Sequence, residues 1–261
     1  MNFTYILPNR KEVKLKEILF KDLRTFNLYS ETSLRGRLDF LESFIITKGL
    51  NVLEKFYCLL YLRSQCIGNE ISITSDKGPV SVSLDFLISN IGGIPDIQTD
   101  IKIDNVVYTL DFPHHFNTGN DDFVLSLVKK IQIGDENLVL SDLSASDYLE
   151  AIERLPEQLY KFIDKFLEES KEFFSLSLLG ERKSIDIRPI KFSTMQYDFT
   201  DFVVSLFKCI TTQGYREILF SLSKRITDVT FLTNSTFLEV NDYFELYKDE
   251  IENQKASQQA T

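Results

Sequence analysis

Tryptophan is absent from this 261-residue chain, histidine occurs twice and cysteine three times. Without Trp, the core has to be built from the 22 Phe together with Leu, Ile and Val, and that aromatic density also leaves surface for partner proteins. Cys58, Cys66 and Cys209 form an odd, scattered set with no CxxC pair, each in an apolar helical context. They read as reduced, buried small hydrophobes of a cytosolic protein, not as a disulfide frame or a zinc site. Basic residues are in the minority: 29 Lys and Arg against 39 Asp and Glu leave a net charge of −10 and a pI near 4.9. Such a chain repels a phosphate backbone, so nucleic acid is not expected as a partner.

Long apolar runs are missing as well. No stretch approaches the ~18 uninterrupted apolar residues of a membrane span, and the start "MNFTYILPNRKEVKL" lacks the charged-then-apolar order of a signal peptide. A soluble, intracellular protein with no membrane partner is expected. No linker rich in Pro, Gly or Ser divides the chain. Two subdomains in contact are therefore predicted, a mixed one over 1–115 and a mainly helical one over 116–254, with 255–261 as a disordered polar tail.

What is present is a change of pattern along the chain. "FTYILPNRKEVKLKEI" alternates apolar and polar residues on either side of Pro8-Asn9, as a hairpin does. Apolar residues at three- and four-residue steps then predict helices over ~34–47 and ~50–66, broken near Gly49. "NEISITSDKGPVSVSL" and "TDIKIDNVVYTLDF" are further hairpins, with a short helix "DFLISNIGG" between them. Hairpins of this kind argue for an antiparallel α+β fold rather than alternating βαβ units. Beyond residue 120 a small hairpin turning at Gly134-Asp135 is predicted. A helix capped by Ser144 or Ser146, another opening at Pro156 and a strand-like "KSIDIRPI" follow. Helices over ~198–210, ~214–227 and ~236–253 complete the chain. Fold class: N-terminal antiparallel hairpins packed with helices, then a mainly helical C-terminal half.

One phrase recurs, "DFVLSLVKKI" at 122–131 and "DFVVSLFKCI" at 201–210. On a helix, Phe123, Leu127, Phe202 and Leu206 fall on the buried side, with Lys129 and Lys208 solvated. Two readings stand: similar core helices that converged, or the remnant of a repeat. A second pattern lies in "FLEVNDYFELYKDEI", where Phe237, Val240, Phe244, Tyr247 and Ile251 form a stripe that serves either the core or a partner.

Catalytic, cofactor-binding and metal-ligating residues are predicted to number none. Adjacent His114 and His115 point to opposite sides of an extended segment and read as a solvated loop rather than a ligand pair. "NIGGIPD" is too short for a phosphate loop, no GxSxG occurs, and Glu168-Glu169 and Asp249-Glu250 read as solvated helix faces. Two distant carboxylates that meet in space would leave no mark in sequence, so an enzyme with an acidic site stands as a lesser alternative.

Three segments together resemble the baseplate hub assembly family of T-even-like contractile-tailed bacteriophages. They are "FTYILPNRKEVKLKEILFKDLRTF", "FVLSLVKKIQIGDENLVLSDLSASDYLEAIERLPEQLYKFIDKFL", and "FTDFVVSLFKCITTQGYREILFSLSKRI" followed by "FLEVNDYFELYKDEIENQ". In the first, the family pattern is a strand with Leu-Pro-Asn, a second strand, and a helix beginning at a Lys-Asp/Glu pair. Where the family often opens its last helix with a Thr-Pro type segment, this chain has "NSTFLEVNDY". The resemblance implies a late protein that builds the baseplate hub as an assembly chaperone, in the infected host's cytoplasm or in the virion baseplate. Phage hub or tail proteins are the implied partners, with no cofactor. A structural subunit of the virion hub is the alternative.

Overall fold

The turn that joins the first two strands shows how local chemistry starts the fold. In the computed structural model, which describes residues 2–29, 33–75, 78–85, 88, 99–116, 127–144, 147, 150–151, 153–173, 175–178, 190–193 and 197–259, β1 (Asn2–Ile6) and β2 (Glu12–Lys16) pair antiparallel as read. Arg10 takes the left-handed φ of 66° that closes the turn, and the Asn9 side chain accepts from the Lys11 N–H at 3.2 Å. Val13 and Leu15 alternate inward and are fully buried.

Three helices follow: α1 (Phe20–Tyr29), α2 (Leu34–Glu42) and α3 (Val52–Cys66). Helix α2 stops short of the expected residue 47, because the chain turns back onto β2: Lys16 N–H donates to Phe44 O at 2.7 Å and Ile45 bridges Leu15. Next come hairpins β3 (Glu70–Ser75) with β4 (Gly78–Ser83), and β5 (Thr99–Ile103) with β6 (Val106–Leu110), the latter turning through Asp104 at φ 54°. The helix expected in "DFLISNIGG" lies almost wholly outside the described residues.

β7 (Val128–Ile133) and β8 (Glu136–Val139) extend β5 and β6 into a four-stranded antiparallel sheet, turning through Gly134 as predicted. This corrects the helix read over 122–131, whose described part is strand. Leu110 faces Val128 while Thr109 faces Lys130, so Lys129 is an extra, bulged residue. The bulge shifts the alternation by one and turns both Val128 and Ile131 inward, a three-residue step that imitates a helix in sequence. Lys129 is not simply solvated either; its ammonium pairs with Asp111 Oδ2 at 2.7 Å. Phe123 lies outside the described residues, while Leu127 is buried.

Helix α4 (Glu157–Phe173) opens after Pro156 and lays Leu159, Ile163 and Phe166 on the sheet's apolar face. β9 (Ser175–Leu178) pairs with β10 (Ile190–Ser193), and "KSIDIRPI" falls outside the described residues but for Ile190. The remainder is helical: α5 (Tyr197–Ser205), α6 (Thr212–Ser223), α7 (Val229–Asn234) and α8 (Phe237–Gln259). The second copy of the phrase is therefore helix as far as Ser205, with Phe202 and Leu206 buried and Lys208 exposed as expected. Short α7, capped by Asp228 on the Phe231 N–H, has no counterpart in the sequence reading. The fold is α+β, with antiparallel pairs and a helical C-terminal half.

Two apolar clusters hold these elements. One joins the four-stranded sheet to α4. The larger takes residues from β1 to β4 and α1 to α3 together with α5, α6, α7 and α8. Phe20 stacks on Tyr215 at 4.3 Å and lies 6.0 Å from Phe237, and Phe56 meets Phe199 edge-on at 4.9 Å. Phe112 and Phe166, 6.5 Å apart, connect the two clusters.

Candidate functional site

Three places gather polar or exposed side chains. At the start of α3, Asn51 caps the helix through the N–H groups of Leu53 and Glu54, and Glu54 reaches back to the Asn51 N–H at 3.1 Å. Glu54 is 95% buried in that position, so its charge needs further partners. Asn9 Nδ2 supplies one at 3.0 Å and Lys11 Nζ another at 3.1 Å. The Leu-Pro-Asn turn thus has a structural use: it carries Asn9 and Lys11 to the capping carboxylate of a helix far along the chain.

The histidines sit beside this cap. Pro113 O accepts from the Val52 N–H at 2.8 Å, and Lys55, which pairs with Glu42, donates to His114 O at 2.6 Å. The loop is therefore pinned to α3. His115 is exposed as expected, whereas His114 is half-buried, with Nδ1 3.3 Å from Leu50 O. Burial lowers the His114 pKa, which favours the neutral imidazole. Among the described residues no three His, Cys, Asp or Glu side chains converge as metal ligands would.

The second place is a cleft of about 500 Å³ between the end of α3 and the end of α5. Arg63, 94% buried, donates from Nε to Leu206 O at 2.7 Å, from Nη2 to Glu70 O at 2.8 Å and from Nη1 to Gly68 O. Burial lowers its pKa, yet the guanidinium keeps its proton, since carbonyls at two helix ends face it. Cys209, on the cleft wall, has its thiol pushed up to about 11 by burial. Cys58 and Cys66, at about 12 and about 11, are held protonated for the same reason. A thiol in that state is a packing group at neutral pH.

The third place is the surface of α7 and α8. The stripe read in sequence turns toward the body: Val240 is fully buried, and Phe237, Phe244 and Tyr247 pack on the large cluster. A second row was missed. Phe231 is 46% exposed, Tyr243 40% and Leu246 66%, and the Phe231 and Tyr243 rings meet edge-on at 6.1 Å. The signal was present as apolar residues off the main stripe of α8, but which row faces solvent depends on where the body lies.

The comparisons with known proteins bear on the first two places. The family described as T4 bacteriophage base plate protein matches residues 1–178, which contain the hairpin turn, the α3 cap, Arg63 and the four-stranded sheet. No curated protein and no solved structure matches the chain.

Proposed function

The chain belongs to the T4 bacteriophage base plate protein family, and from that premise we propose that it is an assembly factor of the baseplate hub, acting by binding other phage proteins during tail morphogenesis. The match over residues 1–178 carries this reading. The state of the polar groups supports it: Glu54 is saturated by donors, Arg63 is spent on carbonyls, and the thiols are protonated. The aromatic row on α7 and α8 supplies surface for a partner. Its place of action is then the infected host's cytoplasm, and its partners are hub or tail proteins.

Mass spectrometry of purified tails beside infected-cell lysate tests the proposal. An assembly factor is abundant in lysate and absent from tails; a fixed copy number in tails makes it a virion subunit instead. Deleting the gene is expected to leave heads complete and baseplates absent or lacking a hub. Normal infectious particles from the deletion would rule out both roles.

A further inference from the structure

We propose that the ridge of Phe231, Tyr243 and Leu246 docks a basic amphipathic helix of a partner protein; the inference rests on the assembly reading and names its contact surface. The α8 helix satisfies the core with a different row, so this one is left over from folding. Tyr243 and Leu246 lie one turn apart, and the edge-on contact with Phe231 holds the Tyr243 ring in place before any partner arrives. Apolar anchors at that spacing suit a guest helix laid along the host helix.

Charge selects the guest. Helix α8 carries six acids against two lysines. Asp242 and Asp249 flank the ridge on the same helix, and Leu246, Asp249, Glu250 and Asn253 line one furrow that runs on along α8. Glu250 is held by Arg225, whereas Asp242 and Asp249 have no ion pair among the described residues. A second copy of this chain would set acid against acid, and an anionic membrane or nucleic acid would be repelled in the same way. Lys and Arg beside an apolar stripe complement the surface. Residues 252–257 are exposed all round, and α8 runs about 12 Å beyond Ile251 to Gln259, which leaves room alongside.

Two labelled helical peptides with the same apolar stripe, one flanked by Lys and Arg and the other by Glu, test this by fluorescence anisotropy. Only the basic peptide is expected to bind the full chain. Its affinity should fall about tenfold in Leu246→Ser and in Asp249→Lys, and by less than about twofold in Asp164→Lys, the same charge change on α4. Leu246 is two-thirds exposed, so Leu246→Ser should keep the wild-type melting temperature, and circular dichroism checks it. Binding of neither peptide, equal binding of both, unchanged affinity in Leu246→Ser, or an equal loss in Asp164→Lys overturns the proposal. Purified hub proteins of the same phage, offered singly, separate the two levels of inference. Should none bind wild type, the assembly reading fails and this proposal with it; should one bind wild type and Leu246→Ser alike, only the docking surface fails.

Discussion

Glu54 is the residue on which the amino-terminal hairpin and α3 converge, and its environment sets a clear cost for its removal. Truncation to Ala leaves the Lys11 ammonium, the Asn9 amide and the Asn51 N–H without their acceptor. A loss of about 1–3 kcal/mol in urea unfolding is expected, since the buried Asn51 N–H loses its acceptor while the Lys11 side chain, 40% exposed, and Asn9 turn to water. Glu54→Gln keeps an acceptor for the Asn51 N–H and should lose less. Neither the cap formed by Asn51 and Glu54, three residues apart, nor its partners, which come from 45 and 43 residues away, was read from the sequence. Cys58 and Cys66, by contrast, were legible as buried thiols, because burial follows from their apolar helical neighbours, whereas Cys209 is only half-buried on the cleft wall. They also give a pH dependence. Burial raises the Cys58 pKa from an ordinary 9.0 to about 12, so on raising the pH the unfolded chain loses this proton first. The stability it contributes is whole below the ordinary value and is lost as pH rises toward the folded one. Between about pH 8 and 10 the urea midpoint should therefore fall more steeply in wild type than in Cys58→Ala.

Elements were readable where the turn chemistry and the period agreed. The hairpin at Pro8-Asn9, those at Asp104-Asn105 and Gly134-Asp135, and α3 all formed as read. β7 failed because its period was altered by one residue: Val128 and Ile131, three apart, share a face only through the bulge at Lys129. The recurring phrase is thus one pattern in two structures, strand in its described first copy and helix in its second. This makes an unusual deletion testable. Removing Lys129 alone would set Val128 and Ile131 two apart, the spacing of a regular strand, with Leu110 still facing Val128. The sheet should survive with a cooperative transition, losing on the order of 2–3 kcal/mol because Asp111, mostly buried, is left without its lysine. Adding Asp111→Asn should restore part of that loss. A helix over 122–131 would respond differently, since one deletion rotates everything after it by about 100° and takes the apolar face off the core. Cooperative unfolding of the deletion variant by circular dichroism distinguishes the two structures.

On the scale of the whole molecule, the extent of the family and the extent of the core do not coincide. The family match ends at residue 178, whereas the large cluster needs Phe199, Phe207, Tyr215 and Val240 from beyond it. Residues on both sides of the expected boundary at 115/116 enter that cluster. Local periodicity could not reveal this, since the contacts involved, such as Arg63 to Leu206 O and Lys21 to Asn234, span 143 and 213 residues. A fragment 1–178 would uncover Phe20, Phe26 and Phe56, whose partners are Tyr215, Phe207 and Phe199. Each buried ring is worth about 1.5–3 kcal/mol, so together they approach the net stability of a whole domain, about 5–15 kcal/mol. Arg63 would lose the Leu206 carbonyl as well. The fragment is therefore expected to show no cooperative unfolding and to bind the dye ANS more strongly than the full chain. A chain ending at Ile251 is the matched control, because residues 252–257 are exposed and the rest of α8 keeps its contacts. Its melting temperature should stay within about 4 °C of the full chain, a difference worth no more than about 1–2 kcal/mol at this size. Cooperative melting of 1–178 would show instead that the hairpins, α1 to α4 and the four-stranded sheet close a core without the C-terminal helices.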